Sequence, residues 1–203
     1  MAYGQIVLLN GAPRSGKSSI VMAIQGSLDG DWINLGVDAT KGMTPQDRQP
    51  GIGLRPGGER PDLEPFIERS YLALYDSIAA HSRAGLNIAA DVGHHESYAG
   101  LKNVFASCLQ RLSGLPVLIV GVLCPIELIL ERRRDTGWED HTRSDSVPDP
   151  IIRWQRLVHD PGIYDLEVDT SRLSPDQCSE RIEQCLTSPP SPSAQERIVR
   201  IKG

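Results

Sequence analysis

Residues 11–18 read Gly11-Ala12-Pro13-Arg14-Ser15-Gly16-Lys17-Ser18 and fill every fixed position of the pattern G-x-x-x-x-G-K-[ST]. The chemistry of such a loop is phosphate binding. Its glycines let successive backbone N–H groups turn toward one point, and a helix N-terminus adds positive partial charge there. Lys17 would reach the β- and γ-phosphates of a nucleotide, and the Ser18 hydroxyl would hold Mg²⁺. Ser19 follows in the first helical turn, so the candidate nucleotide contacts run from Gly11 to Ser19. The apolar run Ile6-Val7-Leu8-Leu9 before the loop reads as a buried strand, and Ser18 to Ile24 opens as a helix.

A phosphate loop binds a nucleotide without saying where its phosphoryl group goes. Two carboxylates at the ends of other apolar runs speak to that. Asp38 closes Trp32-Ile33-Asn34-Leu35-Gly36-Val37, and Asp91 closes Leu86-Asn87-Ile88-Ala89-Ala90. Phosphoryl transfer needs a cradle, a metal ion, a carboxylate to orient the nucleophile, and cations for the developing charge. Asp38 suits the acceptor side, where it could take the proton of a hydroxyl. Asp91 suits the metal side. Either could instead be a turn former or a helix cap. Arg132-Arg133-Arg134 ends a helical segment and precedes Gly137, Trp138 and Arg143. Guanidinium forks match phosphate oxygens, which makes Arg132 and Arg133 candidates for closing over the nucleotide, with Arg153 and Arg156 weaker ones. The plainer alternative is a cationic last turn that complements the helix dipole. His94-His95, just beyond Asp91, is either an acceptor contact or a pair of surface-loop histidines. Trp138, Trp154, Tyr71 and Tyr75 are open between core packing and ring stacking.

Elements must position these groups. Five apolar stretches, at 5–10, 32–37, 86–90, 117–123 and 164–168, leave room for helices between them. From Asp62 to Arg83 the residues Leu63, Phe66, Ile67, Leu74, Tyr75 and Ile78 recur on one helical face. Ser174-Pro175-Asp176-Gln177 has capping-box spacing, followed by a stripe of Cys178, Ile182, Cys185 and Leu186. Strands alternating with helices predict an α/β fold in three layers: a five-stranded parallel sheet with helices on both faces. Ligands bind beyond the carboxyl ends of such strands, where the phosphate loop lies. The expected division is a domain over 1–187, with a small lid at about 132–150, and a flexible polar tail over 188–203. Thr40 to Pro61, rich in Gly and Pro, reads as a long loop over the active face.

The chain has 203 residues, 39% hydrophobic and 23% charged, which suits one globular domain. A net charge of −5 offers no broad positive field for nucleic acid. No apolar run approaches the ~20 residues that cross a bilayer, and the chain enters its first strand too soon for a signal peptide. Cys108, Cys124, Cys178 and Cys185 form no C-x-x-C pair, so a reducing cytoplasm is the expected location. Association into a homo-oligomer stays open.

With these residues in hand, the chain resembles the chloramphenicol phosphotransferase family. The resemblance runs from about Gly4 to Cys185. It is carried by Ile6 to Gly11 with Ser15-Gly16-Lys17-Ser18, by Trp32 to Asp38, and by Val158-His159-Asp160-Pro161-Gly162-Ile163-Tyr164-Asp165-Leu166-Glu167-Val168-Asp169-Thr170. It implies a P-loop kinase fold and an enzyme using ATP and Mg²⁺ to phosphorylate a primary hydroxyl of a small molecule. It also implies that Asp38 is the base and that Lys17 and Ser18 bind ATP. The chain departs from the family in having Ala90-Asp91 where two adjacent Asp residues stand. Its lid region matches in register only at Arg132 and Gly137. These differences, with the 40–61 loop and His94-His95, leave the acceptor open between chloramphenicol and another hydroxylated natural product. A toxin-like nucleotide-sugar kinase shares the loop and the strand-two carboxylate. A P-loop ATPase or nucleotide switch is the alternative of another class, against which stands the absence of an N-K-x-D motif.

Overall fold

The computed structural model describes residues 2–49, 60–95, 103–135, 152 and 155–202. Residues 50–59 of the Gly/Pro-rich loop and most of the expected lid, including Gly137, Trp138 and Arg143, lie outside the described residues, as do Arg153 and Trp154. Five parallel strands form the centre: β1 (Ile6–Asn10), β2 (Trp32–Asn34), β3 (Asn87–Val92), β4 (Val117–Leu123) and β5 (Leu166–Asp169), in the order β2-β3-β1-β4-β5. Among the described residues the helices include α1 (Lys17–Ser27), α2 (Val37–Gly42), α3 (Glu64–Arg83), α4 (Val104–Gln110), α5 (Ile126–Asp135), α6 (Pro175–Thr187) and α7 (Ala194–Lys202).

Side-chain alternation in the strands sorts the core into two layers. Ile6 and Leu8 of β1, Ile88, Ala90 and Val92 of β3, and Ile119 of β4 pack with α3, α4 and α7. Val7, Leu9, Ala89, Leu118, Val120 and Val122 point the other way, onto Ile20, Val21 and Ile24 of α1 and Cys178 and Ile182 of α6. In α3 the buried stripe is Ile67, Tyr71, Leu74, Tyr75 and Ile78, so both tyrosines are core residues. The capping box at Ser174 is present, with Gln177 N donating to Ser174 Oγ at 3.2 Å and Ser174 N donating to Gln177 Oε1 at 2.9 Å.

Three expectations need correction. The second strand stops at Asn34, well short of Val37. The Asn34 Oδ1 accepts the Gly36 N–H at 3.0 Å, a local turn that ends the ladder and starts α2, with Asp38 in its first turn. Part of the expected loop is therefore ordered, as α2 and a 3₁₀ turn over Gln46–Arg48. The expected flexible tail contains α7, with Ala194 and Ile198 in the core, Gln195 Nε2 donating to Leu109 O at 2.9 Å, and Arg197 Nη2 donating to Tyr164 O at 2.7 Å. Ser193 and Glu196 form its capping box: Ser193 N donates to Glu196 Oε2 at 2.8 Å, and Glu196 N donates to Ser193 Oγ at 3.2 Å. Among the described residues, no helix is long and apolar enough to cross a membrane.

Candidate active site

β1 delivers the chain to the phosphate loop at the centre of the sheet, and α1 begins immediately after it. The loop's conformation explains its glycines. Gly16 sits at φ 98° as the N-cap of α1, a left-handed geometry that side chains resist. A Cβ on Gly11 would meet Val122 O at 2.5 Å. Arg14 also takes a positive φ, 68°, and Ala12 is buried while Pro13 and Arg14 are half-buried. The Ser15 Oγ is buried without a hydrogen-bond partner among the described residues. A buried polar atom of this kind is costly unless a ligand or water satisfies it.

Lys17 occupies the first position of α1, and its Nζ donates to Gly11 O at 2.8 Å and Ala12 O at 2.9 Å. Burial pushes its pKa down to about 8, against the opposing fields of Asp91 and Asp38. An anion in the loop would restore full charge to this ammonium. Ser18 Oγ donates to Asp91 Oδ2 at 2.8 Å. The alternation of β3 makes this contact: Asp91 follows the parity of Ala89, toward α1, and stands opposite Leu9 in the parallel register. Asp91 lies inside β3, which runs one residue further, to Val92. Two hard oxygens so close together, one a carboxylate, fit a Mg²⁺ site. Ser19 is half-buried beside them. Asp38 is exposed in α2, near enough for Lys17 to feel its charge.

The arginines separate. Arg132 reaches the back of the loop: its Nη1 donates to Thr170 Oγ1 at 3.1 Å and Arg14 O at 3.3 Å, and its Nη2 to Thr170 O at 2.9 Å. Arg133 is buried and Arg134 exposed. Arg156 is exposed in the segment that returns toward β5. The histidines are not surface-loop residues. His94 lies between Tyr71 (ring centroids 4.3 Å apart) and Phe105 (4.4 Å, stacked), with its Nε2 2.9 Å from the Tyr75 hydroxyl. Burial in this cluster, reinforced by His95, brings its pKa to about 3. His95 is buried as well.

Four residues near the loop escape sequence reasoning. Thr170, just past β5, donates from Oγ1 to Ser15 O at 2.7 Å. Asn10, the last residue of β1, accepts the His94 N–H at 2.9 Å and donates to Val158 O at 2.7 Å and Tyr164 Oη at 3.2 Å. Tyr164 Oη lies 2.8 Å from His159 Nδ1. Thr170 and Asn10 could have been found by inspecting every strand end, as Asp91 was. Tyr164 and His159 carry no local signal beyond their place in the quoted motif.

A parallel sheet in this order, with this loop leaving its central strand, is the frame of a P-loop phosphotransferase. More narrowly, the chain belongs to the family described as chloramphenicol phosphotransferase-like protein, whose model matches residues 4–187. A relative from Mycobacterium tuberculosis, "Putative O-phosphotransferase Rv2636", is 24% identical over 212 residues, covering 98% of this chain and 89% of its own length. Among solved structures, a sugar kinase from Janibacter sp. HTCC2649 aligns with a TM-score of 0.58 at 19% identity, over 91% of this chain and 95% of its own. The Mycobacterium tuberculosis APS kinase CysC, in complex with AMPPNP and APS, aligns with a TM-score of 0.58 at 14% identity, over 93% and 100%. At these identities the structural likenesses establish the fold, and the family match establishes a phosphotransferase.

Proposed function

We propose that this enzyme transfers the γ-phosphoryl group of ATP to a hydroxyl of a small molecule, either chloramphenicol or another hydroxylated natural product. The observation that carries the reading is the Lys17 ammonium in a phosphate loop, within the field of both Asp91, which holds the Ser18 hydroxyl, and Asp38. The backbone from Gly11 to Ser19 holds the phosphates, and Lys17 leaves the carbonyls of Gly11 and Ala12 to meet them. Ser18 and Asp91 would hold Mg²⁺, which when bound would neutralise charge on the phosphate oxygens. Asp38 takes the acceptor's hydroxyl proton as that oxygen bonds to the γ-phosphorus. The bond to the β–γ bridging oxygen breaks, and ADP leaves. Arg132 fixes the loop's backbone through Arg14 O and Thr170, and so acts on the developing charge by holding the loop's N–H groups in place. Phosphorylating an antibiotic in this way would inactivate it, in the cytoplasm where ATP is supplied.

The test is a mass-spectrometric screen in which protein, ATP and Mg²⁺ are incubated with chloramphenicol and a panel of hydroxylated antibiotics and metabolites. Gain of one phosphoryl group, abolished in Asp38→Asn while ATP still binds, is the expected result. An Asp38→Asn enzyme with full kcat would remove the base assignment. ATP binding without transfer to any hydroxyl compound would return the site to a nucleotide switch.

A further inference from the structure

The segment between α5 and β5 brings a histidine to the mouth of the phosphate loop. Val158 packs in a small cluster with Ala12, Cys124 and Ile129, and Ala12 is the residue whose carbonyl holds Lys17. Val158 O is clamped by the Asn10 amide. Residue 159 therefore follows directly on a residue packed against the loop and tied to the end of β1.

The hydrogen bonds also set its tautomer. Asn10 has its orientation determined twice over, since Oδ1 accepts from His94 N–H and Nδ2 donates to Val158 O. Its Nδ2 also donates to Tyr164 Oη, so the tyrosine's single proton must go elsewhere. Burial raises the Tyr164 pKa to about 12, which keeps that proton in place. Of its two acceptors, His159 Nδ1 lies at 2.8 Å and Val158 O at 3.4 Å, so the shorter contact takes the hydroxyl proton. The hydroxyl donates to Nδ1, which leaves the imidazole proton on Nε2.

We propose that His159 is a phosphate-contacting residue, whose Nε2–H, oriented through Asn10 and Tyr164, donates to the terminal phosphoryl group of the bound nucleotide. The proposal rests on the kinase reading above and adds a residue to it. Burial, with the Lys17 ammonium adding to it, holds the His159 pKa below its usual value, so the ring is a neutral donor. Lys17 thus feels the charges of Asp91 and Asp38, and His159 in turn feels that of Lys17. Asn10 and Tyr164 act as positioning residues. Asn10 also ties this segment to the His94 backbone across the loop.

The experiment uses the full chain with ¹⁵N-labelled histidine. It has five histidines, and His159→Gln assigns the signal. The expected result is an Nε2–H tautomer for His159 in the free enzyme, resonances that move with Mg·AMPPNP and not with Mg·ADP, and a mixed tautomer in Tyr164→Phe. His159→Ala should weaken AMPPNP binding about tenfold by calorimetry, the scale of one hydrogen bond to a charged group, while ADP affinity stays unchanged. His159→Gln, whose amide N–H reaches the Nε2 position, should recover most of that loss. If both nucleotides bind and His159 ignores AMPPNP, or responds to ADP equally, this inference fails and the kinase reading stands. If neither nucleotide binds, the kinase reading fails with it.

Discussion

Gly36 is the residue on which the metal-side geometry depends most directly. It is buried at the turn between β2 and α2, and a Cβ built there would overlap Asp91 Oδ1 and lie 2.8 Å from Asp91 Cγ and 3.1 Å from Asp91 N. The backbone nitrogen belongs to a central strand and cannot retreat, so in Gly36→Ala the carboxylate must swing away. To regain ordinary van der Waals distance its oxygen has to move by roughly 2 Å. That displacement breaks the 2.8 Å hydrogen bond to Ser18 Oγ and separates the two oxygens offered to Mg²⁺. Displacements of about 1 Å in a catalytic constellation cost ~10²-fold, so kcat should fall by at least that factor. Overpacking should cost about 1–3 kcal/mol of stability, which leaves the fold standing. The assay is steady-state phosphoryl transfer across a Mg²⁺ titration, paired with thermal unfolding. Gly26→Ala serves as the control, because nothing lies within 4 Å of a Cβ at that helical position. It should keep activity and gain roughly 0.5–1 kcal/mol of stability. A folded Gly36→Ala enzyme with native rate and native Mg²⁺ dependence would refute the assignment of Asp91 and Ser18 to the metal.

Other outcomes follow from the same structure. Ile198→Ala should lower unfolding free energy by about 2–4 kcal/mol in urea titrations, and truncation after Thr187 should cost more, whereas a mobile tail would leave both neutral. His94 is held neutral to about pH 3 when folded but titrates near 6.5 when unfolded, so the unfolded chain binds the extra proton between those values. Its contribution is therefore present above pH 6.5 and lost as pH falls, amounting to about 2 kcal/mol at pH 5. In His94→Phe the stability difference between pH 7.5 and pH 5 should shrink by that amount, and an unchanged difference would contradict the buried neutral ring. Thr170→Val should loosen Arg132 and the Ser15 carbonyl from each other, seen as weaker nucleotide binding with about 1–2 kcal/mol lost from the unfolding free energy.

Much of this protein was legible in one dimension. The spacing of Gly11, Gly16, Lys17 and Ser18, the apolar run of β1, the stripe of α3 and the capping box at Ser174 are local patterns, and local steric and hydrogen-bonding rules suffice to read them. The Ser193–Glu196 capping box is equally local, but whether a nine-residue helix orders depends on a surface to bury Ile198, and β4 and α4 provide that surface. The early end of β2 turned on one Asn34 side chain competing with the ladder. The sequence by itself determined the phosphate loop, the strand–helix alternation and the presence of carboxylates near the strand ends. Only the tertiary structure decided that Asp91 faces Ser18, that His94 is sealed among aromatic rings, and that Asn10 meets Val158 and Tyr164 across the sheet. The reason is that strand parity and register are settled by pairing between segments 80 or more residues apart, as Leu9 with Asp91, and no local pattern records which face a distant partner will leave open.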